Sequence, residues 1–201
     1  MKYFQQLPKI QYTDFNGNYL LLTNLLVRAN IIPKLLANPL LFYSYELQEG
    51  DTPEIVASKY YGTVDDFWLV MFANQLLDPQ WDWPLTYQNF NSYIVDKYGS
   101  LANAQGQIIQ YTMTTTTTDL LYGTSNPVTT IIDAAAFANT ITGTTSATLP
   151  SGDIVSITVN TQPVFAYDYE YQMNESKRNI NLINSTYAPT VKSQLKTLLG
   201  R

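Results

Sequence analysis

The stretch SYELQEGDTPEIVASKYYG, residues 44–62, constrains the fold of this chain more than any other segment. The aromatic-rich run leading into it, LLFYSYEL over 40–47, predicts a strand. Glu49-Gly50-Asp51 predicts a turn. Thr52 or Asp51 then caps a helix that has Pro53 in its first turn, where the missing N–H costs little. With Asp51 as the cap, Glu54 takes the capping-box position. Val56 and Tyr60 share the buried face, and Gly62 ends the helix in the left-handed conformation that glycine adopts most cheaply. Thr63 caps a second helix with Asp65 and Asp66 in its first turn, where carboxylates favour the helix dipole. Val64, Phe67, Trp68 and Met71 follow the i, i+3, i+4, i+7 pattern of a packed face, and the helix ends near Asn74.

The flanks read less sharply. Residues 1–17 predict an extended arm ending at Asn16-Gly17. A helix from Tyr19 to about Ala29 follows, with Leu22, Leu25 and Leu26 on one face, and Pro33 and Pro39 punctuate it. Its leucine stripe suits either the chain's own core or a partner's surface. Beyond Asn74, Trp81 and Trp83 flank Asp82, and Thr86 caps a helix reaching Lys97 with Phe90, Tyr93 and Ile94 on one face. Residues 101–163 carry only Asp119, Asp133 and Asp153 as charges and are dominated by threonine, which predicts a small β insertion. From Phe165 to Met173 aromatic and polar residues alternate with a period of two, predicting a strand with one aromatic and one acidic face. Ser185 or Thr186 then caps a terminal helix striped by Tyr187, Val191, Leu195 and Leu198. The organisation is α+β: an arm and amphipathic helix (1–39), a βαα module with an extra helix (40–100), the Thr-rich β insertion (101–163), and a C-terminal strand and helix (164–201).

Composition narrows the chemistry. The chain has neither histidine nor cysteine, so thiolate metal sites, disulfides, cysteine nucleophiles and the usual serine-hydrolase base are all impossible. No metal-ligand spacing or phosphate loop appears, and no cofactor is expected. A net charge of −5 disfavours nucleic acid as a partner. The greasiest run, residues 19–43, is broken by Arg28, Lys34, three asparagines and two prolines, short of the roughly 20 apolar residues of a membrane span. The N-terminal residues lack the apolar run of a secretory signal. Asp78 and Asp82 are the carboxylate pair a glycoside hydrolase would use, although Asp-Pro is also common turn chemistry. Glu175, Lys177 and Arg178 form a charged cluster suited to solvent or to an acidic partner. Sixteen tyrosines and three tryptophans favour contact surfaces, for protein or for sugar.

YELQEGDTPEIVASKYYGTVDDFWLVMFANQLLDP resembles the LysM module in its Tyr45-Glu46-Leu47 strand end, its Glu49-Gly50-Asp51-Thr52 turn, the helix closed by Tyr61-Gly62, and Asn74. It departs after Asn74, where QWDWPLTYQNFNSYI replaces that module's closing strand. YYGTVDDFWLVMFANQLLDPQWDWPLT further resembles the LysM-like core of a baseplate wedge subunit of T-even-like contractile-tailed bacteriophages. YEYQMNESKRNINLINSTYAPTVKSQLKTLL is similar to that family's C-terminal segment. The resemblance implies a non-enzymatic assembly protein in the virion's tail baseplate, put together in the host cytoplasm. It implies membership of a hetero-oligomer that includes other wedge subunits and a sheath-initiating, lysozyme-like subunit. On that reading the module clamps adjacent wedges, with Trp81, Trp83 and Tyr87 as anchors and Glu175, Lys177 and Arg178 pairing with neighbours. A peptidoglycan- or chitin-binding LysM protein is the alternative.

Overall fold

The computed structural model describes residues 2–27, 29, 31, 38–78, 80–150 and 152–199. Helices and strands are mixed in an α+β arrangement, as predicted. The chain divides into two compact units, residues 1–86 with 174–201, and residues 87–173.

The first unit opens with a hairpin of β1 (Lys9–Thr13) and β2 (Tyr19–Thr23), in place of the helix predicted from Tyr19. The cause lies in the turn. The Asp14 carboxylate accepts hydrogen bonds from the backbone N–H of Asn16 and of Asn18, each at 2.8 Å, and Gly17 takes φ 81°. That turn commits the leucines to cross-strand pairing, Ile10 with Leu22 and Tyr12 with Leu20. Pro33, expected to break the same helix, lies outside the described residues. Pro39 begins a 3-10 turn, Pro39–Leu41.

Next come β3 (Phe42–Glu46), α1 (Pro53–Tyr61), a 3-10 turn (Val64–Asp66) and α2 (Phe67–Ala73). Thr52 is the cap of α1, its Oγ1 accepting from Ile55 N at 3.3 Å, and Gly62 closes the helix at φ 76°. Thr63 makes no side-chain capping bond. A strand from the far end of the chain, β8 (Asn179–Ile183), pairs antiparallel with β3 from Phe42↔Ile183 to Glu46↔Asn179. Strand, helix, helix and strand therefore form one module whose last strand comes from the C-terminal segment.

Three consecutive apolar residues of α2 explain how this module holds both of its neighbours. Trp68 and Leu69 join Leu7, Ile183, Leu195 and Leu199 in one buried cluster; Val70 joins Leu47, Val56, Trp83, Ile180 and Leu182 in another. The terminal helix α7 (Ala188–Leu198) is the predicted one, but Tyr187 is its N-cap, without a side-chain bond, in place of Ser185 or Thr186. Lys192 Nζ fastens α7 to Asp66 Oδ2 at 2.6 Å, and Asp66 is 1 % exposed. Asp66 is thus a buried ion-pair partner as well as a first-turn carboxylate.

α2 ends in a Schellman motif. Leu76 N bonds Met71 O at 3.0 Å and Gln75 N bonds Phe72 O at 3.3 Å. Gln75 carries φ 55° at the position where glycine is usual, the one non-glycine with positive φ among the described residues.

Two asparagine side chains stand in for backbone. Asn74 Nδ2 donates to Val70 O and Asn181 O, and its Oδ1 accepts from Asn181 N, all at 2.8 Å. Asn174, buried, accepts from Leu85 N at 2.7 Å and donates to Leu85 O at 3.1 Å. Each amide matches one residue's N–H and C=O as a neighbouring strand would.

The second unit holds α3 (Tyr87–Tyr98), α4 (Leu101–Gly106) and a four-stranded antiparallel sheet. Its strands are β4 (Ile108–Asp119), β5 (Ser125–Ile132), β6 (Gly143–Thr148) and β7 (Ile154–Phe165), in the order β5-β4-β7-β6. A short helix, α5 (Ala134–Asn139), sets Phe137 against Tyr111 with centroids 4.4 Å apart. Hydroxyl pairs bridge the strands at Thr114–Thr129, Thr118–Ser125 and Thr144–Thr158, each within 3.0 Å.

The alternating segment after Phe165 is not a strand. Ala166–Ser176 is a helix, α6, and the division between the units falls within it. A tyrosine at every second position also recurs at i, i+4, so the pattern suits either element and tertiary pairing decides. Tyr167 and Tyr171 stack at 6.4 Å, and each meets Phe90 of α3 edge-on. The Glu170 carboxylate accepts from Lys97 Nζ at 2.7 Å, Tyr98 Oη at 2.9 Å and Tyr93 Oη at 3.2 Å.

If Asn74 serves as a surrogate strand edge, Asn74→Ala lowers stability by about 1.5 kcal/mol, because Asn181 loses its partners at both backbone groups. A urea melt of the full chain measures this, and an unchanged midpoint would contradict the role.

Candidate protein-interaction surface

The sequence nominated Trp81, Trp83, Tyr87, Glu175, Lys177 and Arg178 as partner contacts, and the structure separates them. Trp83 is core: it is 8 % exposed, and its Nε1 donates to Asp51 O at 2.8 Å. An indole so placed closes the turn before α1 from inside, leaving little surface for another subunit. Trp81, only two residues away, is 54 % exposed. Tyr87, the first residue of α3 in the second unit, is also largely exposed.

The charged cluster turns inward. Arg178 Nε reaches both Glu175 carboxylate oxygens at 2.8 Å, and its other arm meets Glu49 Oε2 at 3.0 Å. Lys177 Nζ donates to Trp81 O at 2.6 Å. These side chains fix the bend that delivers β8, and Leu47 N bonds Arg178 O at 2.9 Å to begin the pairing. The Arg178 guanidinium shares its Nε–H between both Glu175 oxygens and turns a second N–H to Glu49, so one side chain ties two carboxylates together across the chain reversal.

Asp51 is the electrostatic centre of the module. Its carboxylate accepts from Lys59 Nζ at 2.6 Å, Tyr45 Oη at 3.0 Å and Gln48 N at 3.1 Å. Burial pushes this carboxyl up, but the Lys59 ammonium and the two further donors outweigh it and hold it below the ordinary carboxylate range. Asp78 and Asp82 do not form an acid–base pair. Asp82 Oδ2 accepts from the N–H of Leu77 and of Asp78 at 3.0 Å, and Asp78 Oδ1 accepts from Gln80 N at 2.9 Å. The N–H groups of Asp78 and Leu77 hold the Asp82 carboxyl low, the reverse of what a general acid requires.

One apolar feature joins residues of the expected extended arm to residues expected in a helix. Every residue of β1 and β2 is exposed. The register puts Ile10, Tyr12, Leu20 and Leu22 together on one face, each between 43 and 46 % exposed. Phe15 at the turn and Leu25 and Leu26 beyond it are exposed as well. The signal was present in the sequence: Asp14-Phe-Asn-Gly between KIQYT and YLLLT is hairpin chemistry. A lone two-stranded ribbon is marginal in water, so this apolar face is suited to burial against something else.

The described residues combine exposed aromatic contact area with carboxylates engaged in structural hydrogen bonds. No cluster of three metal-binding side chains occurs among the described residues, and no helix among them is long and apolar enough to cross a membrane. The profile of the family described as Base plate wedge protein 53 matches residues 14–199, and the chain belongs to that family. It is a structural component of the phage tail baseplate and assembles with other baseplate subunits. No curated protein sequence matches it.

Because the folded Asp51 carboxyl titrates below its unfolded value near 4, its contribution is complete above that pH and is lost as pH falls through the folded value. Asp51→Asn is expected to cost about 1–2 kcal/mol at pH 7, with the gap to the parent chain closing below about pH 4. Thermal melts across pH 3–7 check both; a gap independent of pH would refute the assignment.

Proposed function

We propose that this chain bridges adjacent wedges of the baseplate, with its strand-helix-helix-strand unit acting as a LysM-like clamp. The antiparallel pairing of β3 with β8 around α1 and α2 supports the LysM-like reading, with the closing strand supplied from residues 179–183. The observation that carries the bridging role is the apolar hairpin face of Ile10, Tyr12, Leu20 and Leu22. A subunit of a large assembly places such a face on a neighbour, where desolvation of large apolar side chains drives association.

Trp81 and Tyr87 add exposed aromatic anchors, one in each unit. The partners are other wedge subunits and the sheath-initiating, lysozyme-like subunit, joined in the host cytoplasm before the tail is complete. Binding is the whole task on this reading: the module holds proteins together and neither cleaves nor retains glycan.

The test is the double variant Leu20→Asp, Leu22→Asp, assembled with the remaining baseplate proteins. Both side chains are half-exposed and pair only across the hairpin, so the thermal midpoint of the purified chain should fall by no more than about 2–4 °C, as for a change of about 1 kcal/mol. Incorporation into baseplates, read by sedimentation, should fall at least tenfold. Full incorporation of the variant, or parent-chain retention on peptidoglycan relieved by chito-oligosaccharide, would overturn the reading in favour of a glycan-binding module.

A further inference from the structure

At one end of the second unit's sheet, β4 runs into β5 and β6 into β7. Residues 149–153, Leu-Pro-Ser-Gly-Asp, make the second connection from ordinary turn chemistry. The first, 120–124, puts Leu-Leu-Tyr at the place where polar residues are usual. Leu120, Leu121, Tyr122, Leu149 and Ile154 are each between 44 and 74 % exposed. The backbone beneath them is held in place. Asp119 Oδ1 accepts from Leu121 N at 2.8 Å and from Tyr122 N at 3.1 Å, and Gly123 N donates to Asp119 O at 2.8 Å. Leu120 N donates to Ile154 O at 3.1 Å and so ties the two connections together. Apolar side chains on a preformed backbone lose less freedom on binding than those on a loop that must first be ordered.

The charge around this tip is one-sided. Residues 87–173 hold Asp96, Asp119, Asp133, Asp153, Asp168 and Glu170 against one base, Lys97. The second unit therefore carries a net charge of −5, which is the net charge of the whole chain, and the first unit is balanced. Lys97 is itself engaged by Glu170 at 2.7 Å. From residue 98 to residue 176 the sequence has no lysine or arginine, and Asp119 and Asp153 stand at the two ends of the apolar tip.

Those carboxylates select the partner. A bilayer is a poor one, since the aspartates would meet either hydrocarbon or anionic headgroups. A second copy brings acids to acids, and like charges set opposite each other suppress association. A recess with an apolar floor and a basic rim matches both the side chains and the field. We infer that the tip formed by Leu120–Tyr122, Leu149 and Ile154 docks into such a recess on another baseplate subunit, with Asp119 and Asp153 facing its lysines or arginines. The inference rests on the assembly role proposed above and adds a contact made by the second unit, distinct in chemistry from the hairpin face.

The experiment places the photo-cross-linking residue p-benzoylphenylalanine at Tyr122 of the full chain, and separately at Leu22, in assembled baseplates. Cross-linked peptides are identified by mass spectrometry. From Tyr122 we expect adducts to a different subunit, on a segment that contains lysine or arginine. Asp119→Asn with Asp153→Asn removes the charge, while the new amide oxygen at 119 still accepts from the turn N–H groups. This double variant should cut the Tyr122 adduct at least fivefold, leave the Leu22 adduct unchanged, and leave the thermal midpoint of the free chain level. Should it melt lower, Asp153→Asn alone carries the test. Adducts confined to this chain or to a second copy, adducts to a segment without basic residues, no adduct, or a yield indifferent to neutralisation would overturn the site. So would flotation of the free chain with phosphatidylcholine vesicles that Leu121→Ser with Tyr122→Ser abolishes. Adducts to other subunits from Leu22 without any from Tyr122 would sink the tip and leave the assembly role standing; adducts to other subunits from neither position would sink both.

Discussion

The antiparallel pairing of β3 with β8 is the constraint on which the first unit depends. β3 alone is a five-residue strand beside two short helices, far too little to bury a core. When β8 joins it, Ile180, Leu182 and Ile183 arrive together and connect the two apolar clusters that α2 straddles. The ion pair of Lys192 with Asp66 and the Arg178 contacts with Glu175 and Glu49 then lie on either side of that strand in sequence. They are better understood as marking where β8 enters and where the chain goes next than as large sources of stability, because the Arg178 pairs are partly exposed and such pairs contribute little.

The polar groups near this junction are economical in the same way. Asn74 and Asn174 each replace a missing strand with one primary amide. Asp51 collects a turn N–H, a tyrosine hydroxyl and a lysine, while its own carbonyl receives the Trp83 indole. In each case a short polar side chain supplies hydrogen bonds that regular secondary structure would otherwise provide. Small folds use this device when their elements are too short to satisfy one another.

How much of this was legible in sequence depended on the range of the interaction concerned. Thr52, Pro53 and Gly62 act on backbone within one helical turn, and α1 formed between them as predicted. The Thr-rich insertion was legible as β structure because β-branching acts locally. The leucines after Tyr19 and the tyrosines after Phe165 were misassigned, since both runs satisfy two periodicities and their pairing partners decide between them. The closing strand was invisible for a related reason: nothing in NINLI announces that its partner is FYSYE. Of the candidate aromatic contacts, Trp83 is buried while Trp81 and Tyr87 are exposed. A tryptophan two residues from another reads identically in sequence, yet one of them reaches into the core and the other stays on the surface. Gln75 carried no signal at all, because a positive φ at a non-glycine residue has no signature in composition.

The amide clamp between Asn174 and Leu85 has an architectural corollary. It holds side by side, within the first unit, the two points at which the polypeptide leaves for residues 87–173 and returns from them. Since exit and return are already neighbours, the entropy of closing whatever lies between them varies only slowly with its length. The framework is therefore a socket, able to accept a longer, shorter or altogether different insert while its own wiring stays the same.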